Sequence, residues 1–373
     1  MKNSKIKILH VIGGLERGGA EHVLLDLISH PSSSSFDHYI ISLKGIGALS
    51  NEIELHTKQI YNLNITKKNP LSIIKLFYLI FVIRKLKPVR IQGWMYIGNL
   101  ISILFSNKKN QTKVLWSIHH SLSFYKKEKI FPRMLIKISS IISFLPYKII
   151  YVSKRSKIQH LALGFNKSNA VVIYNGIKAN NKTYGSLLRS ELNINNKSKV
   201  ICMIARYHPI KNHLLFIETA ERLLKLRDDI YFVLAGQDIN YNNNELVNLI
   251  KTKNILEYFY LLGKRDDINN ILYSSDLMLN TSHSEAFSIS ILEAMLSSLP
   301  VFATDVGDNS IILNDSKLII QNLNPTYLST MINEFFNLSK IERNIIGNNL
   351  LSRVKHHFPL ENTIKSYNKY YIS

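Results

Sequence analysis

Apolar residues recur along this chain in two rhythms. Ile6 to Ile12, His38 to Leu43, Val89 to Trp94, Lys113 to Ile118, Lys148 to Ser153 and Ala170 to Tyr174 are short apolar runs bounded by polar or turn-forming residues, and each reads as a strand. Between them lie stretches of helical spacing. Ala20 to Ser29 places Val23, Leu24, Leu27 and Ile28 on one side, and Pro70 to Lys87 does the same with Ile73, Ile74, Phe77, Tyr78, Ile80 and Phe81. The alternation starts again with strands at Lys199 to Ala205, Ile230 to Ala235, Tyr258 to Leu262 and Asp276 to Asn280. Helices run from after Asn212 to about Arg227, from Ser288 with the stripe Ile289, Leu292, Met295 and Leu296, and from Pro325 onward. Two series of alternating strands and helices predict an α/β protein with two doubly wound, Rossmann-like domains. A length of 373 residues suits two such domains. Residues 178–197, rich in Asn, Lys and Ser, form the junction, so the expected domains are 1–178 and 179–358, with 359–373 as a terminal helix.

Four loops carry candidate chemistry. Gly13 to Gly19, between a strand and a helix, suits either close approach of a phosphate to the backbone or a tight turn. The G-x-G-x-x-G spacing is absent, which argues against a dinucleotide site. His119 and His120 follow a strand at the edge where open α/β sheets bind ligands. Arg206 and Lys211 follow another strand; a guanidinium grips two phosphate oxygens while an ammonium acts as a point charge. Glu285 sits in the loop before the helix that contains Glu293. Glu293 borders that helix's apolar stripe, where an ionised carboxylate is costly without a partner.

Charge and composition narrow the choices. Residues 1–178 hold 27 Lys and Arg against 7 Asp and Glu, a net of +20, whereas residues 179–373 hold 20 against 19, a net of +1. A basic half implies an anionic partner: membrane, polyphosphate or nucleic acid. Leu122 to Lys148 interleaves Lys and Arg with Phe, Tyr and Ile, which fits a nucleic acid or an interfacial amphipathic surface equally. The single cysteine, Cys202, lies in a strand pattern, so no intramolecular disulfide forms and a reducing compartment fits. The first residues do not have the form of a signal peptide, and no apolar run approaches the length of a membrane span. There is no zinc-type Cys/His spacing, no P-loop and no Asp-x-Asp. Asp228-Asp229 and Asp266-Asp267 read as a strand-start turn and a helix cap, and no metal site is expected.

These pieces together resemble a known family. Glu285 and Glu293, eight positions apart across a strand–loop–helix junction, resemble the E-x7-E signature of the retaining glycosyltransferases of family 4, which have the GT-B fold. Glu285-Ala286-Phe287 stands where the family usually has Glu-Gly-Phe. Leu299 to Gly307 resembles its "GxPVVATDVGG", with Ser298 and Asp308 in place of glycines. Arg206 to Asn212 is similar to "GRLxxxKG", with Ala205 and Asn212 departing from it, and Tyr174 to Ile177 is similar to "PNGID", with Lys178 replacing the aspartate. Gly236 to Asp238 and Gly263 to Ile268 stand where the family has "VGxG" and "FLGxxxDV".

The resemblance implies two domains facing a cleft, with residues 359–373 crossing back onto the first. It assigns catalytic roles to His119, beside the donor sugar, to Glu285, contacting it, and to Arg206 and Lys211, stabilising the departing diphosphate. Donor binding falls to these last three with Gly18, Gly19, Gly236, Arg265, Phe287, Ser288, Ile289 and Glu293, the last holding the ribose hydroxyls. The implied reaction moves a hexose or N-acetylhexosamine from a nucleotide sugar, UDP-linked, to a hydroxyl of a lipid-linked glycan in bacterial polysaccharide assembly. No cofactor is expected beyond the donor as substrate. The expected place is cytoplasmic, peripheral on the anionic inner face of the membrane. A nucleotide-sugar epimerase of the same architecture is the alternative. Nucleic-acid binding accounts for the charge but not for two glutamates beside a phosphate-type Arg/Lys pair, so no nucleic-acid partner is expected.

Overall fold

The computed structural model describes residues 5–65, 74–105, 112–179 and 187–373. The chain forms two compact units, Met1–Gly176 with Leu360–Ser373, and Ile177–Pro359. The first holds strands β1 (Ile6–Ile12), β2 (Phe36–Ser42), β3 (Gln59–Asn62), β4 (Arg90–Trp94), β5 (Lys113–Ile118), β6 (Lys148–Tyr151) and β7 (Ala170–Val172), ordered 3-2-1-4-5-6-7. The second holds β8 (Lys199–Ile204), β9 (Ile230–Ala235), β10 (Phe259–Leu261), β11 (Leu277–Asn280), β12 (Val301–Thr304) and β13 (Ile319–Ile320), ordered 10-9-8-11-12-13. Every strand pair in both sheets is parallel. The continuous apolar runs follow from this, because parallel sheets are covered by helices on both faces.

Successive residues of a strand feed opposite layers. In β1, Ile8 and Ile12 join the layer of Leu24, Leu27 and the terminal helix Leu360–Ile372, while Leu9 and Val11 join the layer of Ile83, Ile91 and Trp116. The terminal helix buries Leu360, Ile364, Tyr367 and Tyr371 against the first sheet. Tyr371 hydrogen-bonds the Gln92 side chain in β4, and Arg90 Nε donates to the Tyr370 carbonyl at 3.0 Å.

Several elements differ from the sequence expectation. β3, β13 and the helices Ser50–Glu54 and Met95–Leu104 have no counterpart in the pattern read above. The helix expected over 70–87 is observed as Ile74–Leu86; residues 70–73, with Ile73, and the Tyr78 side chain lie outside the described residues, as does 180–186 in the junction. Of its expected apolar side, Ile74, Phe77 and Phe81 are exposed, and Leu79 and Ile83 are buried instead. The helix after Ser288 runs Ile289–Leu296 and buries Ile291, Leu292, Ala294 and Met295, leaving Ile289 and Leu296 half-buried.

The first core contains a neutral histidine chain. Trp94 Nε1, which can only donate, reaches His10 Nδ1 at 3.2 Å. His10 therefore carries its proton on Nε2 and donates it to His38 Nδ1 at 3.0 Å. Burial lowers both residues, His38 to about 4, and the proximity of His38 lowers His10 further. A histidine held below its unfolded value of 6.5 stays neutral in the folded state while the unfolded chain takes up the proton. Its contribution is complete above pH 6.5 and is lost as the pH falls toward 4. His38 alone corresponds to roughly 2–4 kcal/mol across that range. The urea midpoint of unfolding should therefore drop between pH 7 and pH 4.5, and less so in His38→Gln. A His38→Gln profile that overlays the parent's would show that the pair does not control the acid limb.

Candidate functional site

In open α/β sheets ligands bind beyond the carboxyl ends of the strands, where the strand order reverses. In the second sheet that point lies between β8 and β11. The loop after β8 carries Arg206 and Lys211, and the loop after β11 carries Glu285. The topology thus brings together residues that are 74 positions apart, and Lys211 Nζ lies 2.6 Å from Glu285 Oε1. Ser282 Oγ donates to the same oxygen at 2.7 Å.

Backbone ties fix this pair. His283 N–H donates to the Ile210 carbonyl at 2.7 Å, and Thr281 Oγ1 reaches the Lys211 and Asn212 carbonyls at 3.2 and 3.0 Å. Thr304 Oγ1, at the end of β12, donates to the Ser282 carbonyl at 2.6 Å. Gly307 closes the loop from behind: its φ is +55°, and a Cβ there would stand 2.6 Å from the Glu285 carbonyl oxygen. Gly236, after β9, packs where a Cβ would strike the Ala205 carbonyl, and its N–H donates to Gly263 at 2.8 Å. Sequence reasoning missed Thr281, Ser282 and Thr304. Their signal is positional: hydroxyls at strand ends next to a loop acid.

The helix Ile289–Leu296 begins at this point. Ser288 is its N-cap but makes no side-chain cap; its hydroxyl meets Asn280 at 3.4 Å and Ser290 at 3.1 Å instead. The first-turn N–H groups are thus left without a side-chain cap, and such a helix start favours an anion. Phe287 is buried, 5.8 Å from the Phe358 ring. Arg206 is exposed on its loop. Arg265 stands apart in chemistry: its guanidinium makes four hydrogen bonds, two to Asp267 at 2.7 and 2.8 Å and two to Glu191 at 2.8 and 3.2 Å. These contacts raise it above the ordinary arginine value and hold Asp267 down to about 2. Asp267 does precede the helix Ile268–Ser274, but its carboxylate binds Arg265 rather than capping the backbone.

In the first unit the order reverses between β1 and β4. Gly18 is the N-cap and Gly19 the first residue of helix Gly19–Ser29 after β1, again with no side-chain cap. His119 follows β5, with its ring 5.6 Å from Trp94 and both ring nitrogens buried without a partner. Burial lowers it to about 3, so the imidazole is neutral. His120 is different: Nδ1 meets the Tyr96 hydroxyl at 3.1 Å and Nε2 meets Glu128 at 3.2 Å. The histidine with nitrogens to offer a ligand is His119. Among the described residues, no cluster of three or more His, Cys, Asp or Glu is placed to hold a metal ion.

Glu293 is pushed up to about 7 by burial in its helix. A raised carboxyl holds its proton longer in the folded state, so its stabilising effect is complete below pH 4.5 and is lost as the pH rises through 7. At pH 8 Glu293→Gln should be more stable than the parent, by roughly 2–4 kcal/mol, and the two should converge at pH 5. Equal urea midpoints at pH 8 would show that the carboxyl ionises at no cost.

Comparison with known proteins places this geometry. Residues 17–181 match the family model "Glycosyltransferase Family 4", and residues 186–350 match "Glycosyl transferases group 1". The UDP-Gal:alpha-D-GlcNAc-diphosphoundecaprenol alpha-1,3-galactosyltransferase of Escherichia coli is 30% identical over 197 residues, 50% of this chain and 49% of that protein. The chain thus spans about half the length of the first curated relatives it matches. The capsular polysaccharide biosynthesis glycosyltransferase CapH of Staphylococcus aureus is 22% identical over 334 residues, 87% of this chain and 90% of that one. Among solved structures, Anabaena HepE in complex with UDP superposes with a TM-score of 0.82 at 20% identity, covering 98% of this chain and 99% of that one, which identifies the GT-B fold. With residues 17–181 and 186–350 both matched, so that most of the chain is covered, the chain belongs to glycosyltransferase family 4.

Proposed function

We propose that the protein transfers a hexose or N-acetylhexosamine from a UDP-linked donor to a sugar hydroxyl of a lipid-linked oligosaccharide, with retention at the anomeric carbon, in bacterial surface-polysaccharide assembly. The observation that carries this is the Lys211–Glu285 pair at the β8/β11 switch point, next to a helix start without a side-chain cap. A sugar nucleotide presents both groups that such a site needs. Its diphosphate meets Arg206, Lys211 and the N–H groups of the Ser288–Ile289 turn; its sugar hydroxyls meet the Glu285 carboxylate. Lys211 uses one of its three N–H bonds on Glu285, which leaves two for phosphate oxygens. Glu285, with Oε1 taken by Lys211 and Ser282, offers Oε2 to the sugar.

In the transfer the acceptor oxygen bonds to the anomeric carbon as the bond from that carbon to the β-phosphate oxygen breaks. The acceptor proton passes to the departing phosphate, so no protein base is assigned. Charge builds on the β-phosphate, and cations aimed there are the main catalytic aid. Glu293 holds the ribose hydroxyls, and neutral His119 steadies the sugar as a hydrogen-bond partner. The diphosphoundecaprenol acceptor in the E. coli relative's name supports a lipid-linked acceptor here. The N-terminal half's net +20 supports a workplace on the anionic inner face of the membrane. No helix among the described residues is long and apolar enough to cross a membrane.

Arg206→Ala should lower turnover by roughly 10²–10³ with folding intact. Glu293→Ala should weaken UDP binding by about 1.5–3 kcal/mol, read by calorimetry. Added EDTA should leave the rate unchanged. Arg206→Ala activity within twofold of the parent would remove the leaving-group assignment, and a loss of rate with EDTA would remove metal-independence.

A further inference from the structure

The helix Ile130–Ile141 in the first unit is folded with its apolar side outward. Ile130 is 85% exposed, Phe131 58%, Met134 47%, Ile138 40% and Ile141 64%, and Phe144 just beyond it is 63% exposed. At 100° per residue the five helical positions fall within an arc of about 100°. The opposite side, buried against the unit, is Ile136 with Ser139 and Ser140. Packing here uses small polar groups: Ser140 Oγ donates to the Leu163 carbonyl at 2.9 Å. A surface helix ordinarily turns such a stripe inward, so this face is made for a second, apolar surface.

Its rim identifies that surface. Lys126, Lys127 and Lys129 lead into the helix, and Arg133 and Lys137 flank its stripe; all five are exposed. Arg133 lies over the Tyr125 ring at 5.4 Å and Lys127 over Phe124 at 5.2 Å, which keeps the cations beside the apolar stripe. The one acid of residues 122–148, Glu128, is taken by His120 at 3.2 Å. A second copy of the chain on the same two-fold face would set these cations against each other. An anionic bilayer meets both requirements at once, acyl chains for the stripe and phosphates for the rim.

We infer that the Ile130–Ile141 helix lies in the interface of an anionic membrane, with Ile130, Phe131, Met134, Ile138, Ile141 and Phe144 inserted and Lys126, Lys127, Lys129, Arg133 and Lys137 at the headgroups. This deepens the membrane-facing part of the proposed function and rests on it only for which leaflet is met. The Glu128–His120 bond ties the lead of the docked helix to the residue after His119, so the bound lipid lies beside the strand-end loop of the first unit.

The test is sedimentation with substrate-free vesicles, comparing mixed phosphatidylglycerol and phosphatidylcholine with phosphatidylcholine alone. The parent chain should bind the anionic vesicles at least about tenfold more tightly, and salt near 1 M, where screening shortens to ~3 Å, should remove most of the difference. Phe131→Asp with Ile138→Asp should lower anionic-vesicle binding about tenfold or more, as should Lys126→Glu with Lys127→Glu. Thermal protection by UDP should persist in both variants, which verifies their fold. Equal binding to the two vesicle types would overturn the inference, as would unchanged binding by the Asp variant. So would a parent dimer that the Asp variant converts to monomer, since a second copy would then cover the face. Absent UDP protection in a chain that still binds vesicles would instead defeat the donor-site reading alone.

Discussion

The Lys211–Glu285 contact is the constraint around which the C-terminal unit is arranged. Glu285 is 11% exposed at its side chain, and a carboxylate so placed needs a partner. Lys211 reaches it only because the loops after β8 and β11 are held together by Thr281, His283 and Ile210. Those loops adjoin only because the strand order reverses there. Gly307 and Thr304 fix the loop from the β12 side, where a side chain at 307 would meet the Glu285 carbonyl. The pair therefore holds a cation and a carboxylate in a fixed geometry, so that a diphosphate of the kind proposed above would meet charges already in place.

The two units satisfy their polar side chains differently. The C-terminal unit pairs charges: Arg189 with Asp276 at 2.7 Å, Arg227 with Asp229 at 2.9 Å, and Arg265 with Asp267 and Glu191. The N-terminal unit buries histidines and tyrosines in neutral form and links them by hydrogen bonds. Tyr96 joins His160 at 2.7 Å and His120 at 3.1 Å, much as Trp94, His10 and His38 form a chain across β4, β1 and β2. With 7 acids for 27 cations in its first 178 residues, that half lacks the carboxylates to do otherwise.

Much of this was legible in the sequence because parallel strands are apolar throughout and their loops are not. β1, β5 and β9 match the apolar runs at both ends. The site's acids and cations were legible as spacing, and two departures from the family pattern find a backbone reason. Asn212 and Ser298 replace glycines, and both adopt a left-handed conformation, φ +54° in each case, so the backbone shape persists without the glycine. Ala286 has no positive φ, so no glycine is needed there. The helix Met95–Leu104 was not legible. Its small and polar residues Gly98, Asn99 and Ser102 are the buried ones while its aliphatic residues are half-buried or exposed, the reverse of the usual pattern, and Gly98 lets it close against the Val11 carbonyl. The engagement of Arg265 was hidden too, because Glu191 is 74 positions away and a loop arginine reads the same whether a carboxylate or a phosphate fills its fork.

The burial of the amphipathic segments departs furthest from the pattern, and the reason is physical. Periodicity shows that a helix has an apolar side but not which medium covers it. In Ile74–Leu86 three residues of the apolar side named by spacing, Ile74, Phe77 and Phe81, are exposed while Leu79 and Ile83 face the protein; in Ile130–Ile141 an apolar stripe is likewise exposed while Ile136 with two serines faces the protein. Charge resolves what periodicity leaves open. A stripe covered by protein needs no cations at its border, whereas one covered by lipid gains from each. The excess of 20 positive charges lies in the half that carries both helices, and the other half is nearly neutral. One fold used twice thus differs in its charge: ion pairs between near-equal numbers of acids and cations in one copy, and a large excess of cations over acids in the other.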